Sequence, residues 1–374
     1  MSTLKVTNIE SPSGGGVNAK ITDINGGQLS NRNLIINGEQ KVDQRNSGSS
    51  VTLSSTAAFA TDRWSAKING GAATAEQDTT VPSGKGFTKS LKFDVTTADT
   101  SLGASDEIFV QTKIEAQDLT QLSHGTSDAQ SVTFSFWVKS ALTGDYGLYV
   151  YKDDTGRAYQ TTYNISAADT WEYKTITVPG DTSGAIPADN GVGFELRWYL
   201  AIGSSKGGSS SQNAWGTNTT NRHPTGTNIM ASTSNDWFVT GVQLEVGDVA
   251  TAFEHRSFGD ELARCRRYYY RVNSQTSYTP YGFGHNRTTS AGQAIVQHPV
   301  EMRAAPSSLD YSNLASGVLG VSDVLITSAA LNAAGNGKLM STVDTASSGA
   351  FTTGFFTLMS KQTTSSHIGF SAEL

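Results

Sequence analysis

Five side chains sit at strand positions where they could work together on a ligand. Phe194, Leu196, Trp198 and Leu200 alternate with Glu195, Arg197 and Tyr199, and Tyr146, Leu148 and Val150 alternate with Tyr149 and Tyr151. Trp137 interrupts the run Val132, Phe134, Phe136, Val138 in the same way. Successive strand residues point to opposite faces, so Trp137, Tyr149, Tyr151, Arg197 and Tyr199 belong on the side away from the core. Aromatic rings stack on apolar sugar faces while polar neighbours bond the hydroxyls. Drawn as a sandwich, these five residues line one concave glycan-binding surface. The competing expectation is that they pack against another sheet, loop or subunit. A second aromatic group, Tyr278, Tyr281 and Phe283 with His285 and Asn286, falls in a turn-rich stretch and is a candidate distal tip.

Other chemistry finds little footing. Gly203-Ser204-Ser205-Lys206-Gly207 has the spacing of a hydrolase nucleophile turn, but that motif needs a following helix and a Gly/Ser loop follows instead. Asp106-Glu107 and Asp153-Asp154 are adjacent, so on a strand they diverge rather than face each other across a sugar. His124, His223, His255, His285, His298 and His367 are scattered, and no His-Glu-x-x-His occurs. Cys265 is the only cysteine, which excludes an internal disulfide and a cysteine zinc site. Gly282-Phe283-Gly284 lacks the third glycine and the βαβ surroundings of a nucleotide site. The expectation is no catalytic residue, no resident metal and no cofactor; the chain reads as a non-enzyme.

The elements that must position these residues are strands. Glycine numbers 38 and only 16% of residues are charged, a composition of short strands and polar turns. Period-two alternation runs from 31 to 256, and about ten one-sided strands need a second sheet to cover them. The fold class is therefore all-β: a jelly-roll β-sandwich over 31–256, a short connecting helix over 257–270, and a smaller C-terminal β-domain over 271–374. Ser257 and Asp260 form a near capping box, and Leu262, Cys265 and Tyr269 continue at helical spacing. Arg264, Arg266, Arg267 and Arg271 decorate this joint, as a solvated face or as partners for acidic groups of a neighbouring copy. Residues 203–235 are mostly Gly, Ser, Thr and Asn, an uncommonly long stretch for a compact domain, which reads as a functional loop, a subunit contact or a tolerated insertion. Residues 1–30 hold too few apolar groups for a core and read as an arm ordered by a partner.

The net charge of −6 argues against a nucleic-acid partner, and no apolar run is long enough for membrane insertion. The first residues carry no signal-like core, which fits assembly in a reducing cytoplasm.

Four stretches carry a resemblance. Asn33-Leu34-Ile35-Ile36-Asn37-Gly38-Glu39-Gln40 leads to Thr61-Asp62-Arg63-Trp64, and Gln111 to Leu119 leads to Val132 to Lys139. Gly241 to Gly247 runs into Phe253-Glu254-His255-Arg256, and Pro299 to Pro306 opens the last domain. In this order they resemble tail-fibre and related receptor-binding virion proteins of tailed bacteriophages, convincingly over 31–310. The resemblance implies a sandwich related to carbohydrate-binding modules, a homo-oligomer that is often a trimer, and a place on the virion after release by lysis. The expected partners are other virion proteins through residues 1–30, further copies of the chain, and a bacterial surface glycan. It transfers no catalytic residue. A capsid appendage, or a binding module of a polysaccharide-degrading system, are the alternatives.

Overall fold

The computed structural model describes residues 31–208, 213–217, 222, 227–318, 323–361 and 365–374. The arm at 1–30, His223 and much of the 203–235 segment lie outside the described residues. Among the described residues the chain forms four antiparallel sheets, the first two from the segment with period-two alternation and the other two from the residues after the joint. The first sheet runs in the order Val51–Thr52, Ala72–Asp78, Ser90–Thr97, Asp236–Val246, Val132–Ser140, Glu172–Val178. The second runs Trp215–Gly216, Arg157–Ile165, Gly144–Lys152, Val192–Ile202, Glu107–Glu115, Trp64–Lys67, Ala58–Thr61. These two sheets make the jelly-roll sandwich. Their facing surfaces close on an aromatic centre, where Trp198 lies 5.3 Å from Trp64 and 5.9 Å from Phe136 between ring centroids. All three are fully buried.

Residues 31–50 form no strand yet are built into the sandwich. Leu34 N donates to Leu244 O and Val242 N to Gly38 O, so the segment lies along the Asp236–Val246 strand. Asn37 bonds Val42 through both ends of its amide and also reaches Asp62 O. A side chain at position 38 would run into the Val242 carbonyl, which is why glycine follows Asn37. The stretch that carries the sequence resemblance is thus a structural clasp. A bulge sits at Gly241: pairing with Val132–Ser140 slips between Thr240 and Gln243, and Gly241 has φ 61°.

The joint helix spans Phe258–Arg266, with Ser257 Oγ accepting from Asp260 N at 3.1 Å. It is shorter than the spacing predicts. The chain turns at Arg267, and Tyr269 belongs to the strand Tyr269–Asn273 instead. That strand sits in a third sheet, ordered Tyr269–Asn273, His367–Ser371, Ser308–Ser312. The fourth sheet runs Val324–Leu325, Leu314–Gly317, Gly354–Ser360, Pro280–Asn286, Ala291–Gln297, Met340–Ala346, Ser328–Asn336. The C-terminal domain is a second, smaller two-sheet body, its core built on Val296, Val343, Phe356, Leu358, Ile368 and Phe370.

The arginines of the joint bind within the chain. Arg267 makes two bonds to the buried Glu115 carboxylate at 2.7 and 2.9 Å. Arg271 pairs with Asp310, Arg264 bonds Asn31, and Arg266 lies over the Tyr270 ring. Tyr269 is 2% exposed beneath the Arg45 guanidinium, so it is not presented to a partner as the helical reading of 257–270 implies. Arg63 is buried against Glu373 and stacks 3.5 Å above Tyr268.

Beside it, burial lifts the Asp62 carboxyl to about 6, against the pull of its Gln44 hydrogen bonds. A carboxyl whose folded value is raised favours folding while protonated. Its contribution is whole below the ordinary value of 3.8 and is lost as pH rises toward 6. Urea denaturation of Asp62→Asn should therefore show a flatter fall in stability between pH 4 and 6 than the parent chain. Parallel pH profiles for the two chains would contradict this assignment.

Candidate functional site

Alternation in the second sheet sends Leu148, Val110 and Trp198 inward and leaves Tyr149, Gln111 and Arg197 on the far face. Register then aligns side chains from five strands. Ser65 pairs with Gln111, Gln111 with Arg197, Arg197 with Tyr149, and Tyr149 with Gln160. At roughly 4.8 Å per strand, this line of amides, guanidinium, phenol and hydroxyl is about 19 Å long. Tyr151 and Glu195 form the adjoining row, also paired across strands.

Arg197 is held from several sides. Its Nε donates to Glu195 Oε1 at 2.7 Å, its Nη1 donates to the Tyr199 hydroxyl at 3.1 Å, and its plane lies over Phe109. Burial works against its charge, but Tyr199 and Glu195 more than compensate and raise its pKa above the ordinary arginine value. The Tyr199 hydroxyl donates to Glu107 Oε1 at 3.0 Å, and Arg222 donates to the same oxygen at 2.7 Å. Burial pushes Glu107 up, yet Arg222 and Tyr199 bring it below the usual carboxylate value. Tyr199 itself is raised to about 12 by burial. Within this cluster two carboxylates and two guanidinium groups cancel, while Lys67 and Lys113 stand beside it on the same face.

The expected single concave surface is not what forms. Tyr149 is 2% exposed and Tyr199 is fully buried; with Phe109, Ala158 and Ile202 they make a separate apolar cluster on the outer side of the sheet. Tyr151 stays half-buried, stacked 6.0 Å from Tyr149, and with Arg197 it is the accessible part of the group. Trp137 is on the other side of the sandwich. Its strand belongs to the first sheet, where it packs against Tyr173 at 5.3 Å and lies under Lys85. Tyr281 is turned inward, with its hydroxyl 3.0 Å from Ser366 Oγ, because pairing slips between Pro280 and Gly282. Phe283, two residues on, is 73% exposed on the opposite face of the fourth sheet. The two do not form a common tip.

Sequence reasoning missed Ser65, Glu107, Gln111, Gln160 and Arg222. The first four stand at the polar positions of alternating strands, which marked their face but not their alignment. The Ser205 hydroxyl donates to Ala104 O, and a turn without a helix follows it. Among the described residues, no group of three or more His, Cys, Asp or Glu is arranged to hold a metal ion.

No protein-family profile matches the chain, and no curated protein matches it. Solved structures overlap parts of it loosely. A putative sugar-binding protein of Bacteroides thetaiotaomicron covers 57% of this chain and all of its own length (100%), at 13% identity and TM-score 0.32. The enzymatically active domain of tailspike protein 4 from bacteriophage CBA120 covers 57% at 11% identity and TM-score 0.31, and this chain spans only 21% of that domain. The CBM22-1 xylan-binding domain of Paenibacillus barcinonensis Xyn10C covers 55% of this chain and 99% of itself, at 11% identity and TM-score 0.25. Overlaps this loose transfer neither a residue nor a ligand.

Proposed function

We propose that the chain is a non-catalytic, glycan-recognising structural subunit of a tailed-phage particle. It attaches through residues 1–30 and works as a homo-oligomer, with a trimer as the expected state. The observation that carries glycan recognition is the accessible part of this face, Arg197 with the half-buried Tyr151 beside it, held in place by the buried Ser65, Gln111, Tyr149 and Gln160 of the aligned row. The Arg197 guanidinium can bond sugar hydroxyls, and the half-buried Tyr151 ring offers a stacking surface. The particle assignment rests on the sequence resemblance and on the arm.

Titration calorimetry with purified host-surface polysaccharide tests the glycan reading. Tyr151→Ala should weaken binding about tenfold, equivalent to a stacking contact of about 1.4 kcal/mol, with little change in melting temperature. Arg197→Gln should weaken it further. The polysaccharide should come through incubation uncut. Two well-folded variants that bind like the parent chain would move the glycan off this face. The arm is tested separately. Deleting residues 1–30 should leave both β-domains melting as before and stop incorporation into particles; normal incorporation would refute that role.

A further inference from the structure

Apolar exposure is distributed unevenly over this molecule. Ten large hydrophobic residues are exposed among the described residues, and seven of them lie between Tyr278 and Phe355 in the C-terminal domain. Three form the middle of one surface: Phe355 is 85% exposed, Phe283 73% and Ile295 52%. Cross-strand register puts Thr357, Phe283, Ile295 and Thr342 in one row of the fourth sheet, and Phe355, His285, Gln293 and Asp344 in the next. Met340, 47% exposed, extends the apolar area past Ile295, and the whole is a shallow open depression of ≈ 700 Å³.

The strand Gly354–Ser360 shows what this means. Its sequence Phe355-Phe356-Thr357-Leu358-Met359 is apolar on both faces. Phe356 and Leu358 fill the domain core. A strand of this composition belongs in a sheet covered on both sides, and nothing described in this chain covers the side that carries Phe355. The outer face of the sandwich behaves differently, since there the rings of Tyr149 and Tyr199 are buried within the chain.

We infer that this outer face of the fourth sheet is where copies of the chain pack against one another. Three observations select a second copy as the occupant. The charges at its border are already matched inside the chain: Arg287 faces Asp344 at 3.7 Å, and Gln293 and Asn332 donate to the two Asp344 oxygens at 2.8 and 2.9 Å. Identical surfaces can therefore approach without stacking like charges. Around Phe283 the nearest outward neighbours are Ile295, Thr342 and Thr357; of the other polar groups lining the depression, Gln293 and Arg287 are engaged by Asp344 and His285 packs against Phe355, so the open rings are its least satisfied feature. The exposed parts of Phe283, Phe355, Ile295 and Met340 amount to roughly 500 Å² of apolar surface, near the upper limit for a patch on a monomer. With a polar border, that is the core of one side of an interface burying about 800 Å² per partner.

This inference stands apart from the glycan reading, which concerns the other domain. Light scattering on the size-fractionated full-length chain tests it. The parent chain should run as a multiple of 39.6 kDa at tens of micromolar. Phe355→Asp and Ile295→Arg, at positions already exposed, should each run as a single copy with an unchanged near-ultraviolet dichroism spectrum. Tyr173→Asp, at an exposed site on the sandwich, should leave the mass unaltered. A parent chain that stays monomeric overturns the inference, and so do folded variants that keep the parent's mass. A monomeric parent whose polysaccharide binding is lost in Phe355→Asp would mark the patch as a glycan platform instead.

Discussion

Tyr199→Ala should lower unfolding stability by about 3–5 kcal/mol, the cost of emptying an aromatic core site. The residue lies on the outward side of its strand, yet none of it is exposed. Its ring packs 5.4 Å from Phe109 and 6.0 Å from Tyr149. Its hydroxyl joins Arg197 to Glu107, so removal also takes a donor from a buried carboxylate. Tyr199→Phe isolates that second part and should cost about 1–2 kcal/mol. Trp137→Ala is the comparison on the opposite sheet. Its cross-strand contact with Tyr173 is half open to solvent, and its loss should cost about 1 kcal/mol. Urea midpoints of the three variants decide the matter. If Tyr199→Ala unfolds at the parent midpoint, the cluster beneath the aligned row is not closed.

Arg63→Ala should be equally severe, about 3–5 kcal/mol, for a different reason. Arg63 and Glu373 are both buried, and removing the cation leaves an anion with reduced compensation from Arg45 alone. The same change releases Lys113 O, which accepts from Arg63, and uncovers the Tyr268 ring. Because these contacts join the sandwich to the C-terminal domain, scanning calorimetry should show one transition dividing into two. Replacing both members, Arg63→Leu with Glu373→Leu, should recover much of the loss, since a matched apolar pair needs no charge compensation. A single transition at the parent temperature in Arg63→Ala would show that the domains are coupled by other contacts.

Strand and face were legible where alternation was regular. Val192–Ile202 and Gly144–Lys152 read correctly residue by residue, because a period of two is local. What covers a face is not local. Tyr149 and Tyr199 occupy outward positions, and only long-range contacts, including Arg222 reaching Glu107, close over them. Trp137 was assigned to the right side of its strand but not to the right sheet, because membership depends on pairing with Glu172–Val178 and Asp236–Val246 far along the chain. Tyr281 and Phe283 share parity in the sequence. One slip in pairing sends them to opposite faces, and no residue type announces it. Helical spacing ran on through Tyr269 because arginine and tyrosine suit either conformation; docking onto Glu115 and Arg45 settles where the helix stops.

The joint also has a mechanical meaning. Arg303 bonds Asn190 of the sandwich and the last carbonyls of its own domain, Lys113 reaches Leu374 O, and Arg267 clamps Glu115. On the sandwich these ties gather at one end of the second sheet, where Glu115 pairs with Val192 and Ala116 N bonds Gly191 O, so opening the joint on that side must break several of them at once. Bodies tied this way resist being pulled apart along that edge. Load taken up by the sandwich would be delivered to the C-terminal domain as torque, with little dissipated in swivelling.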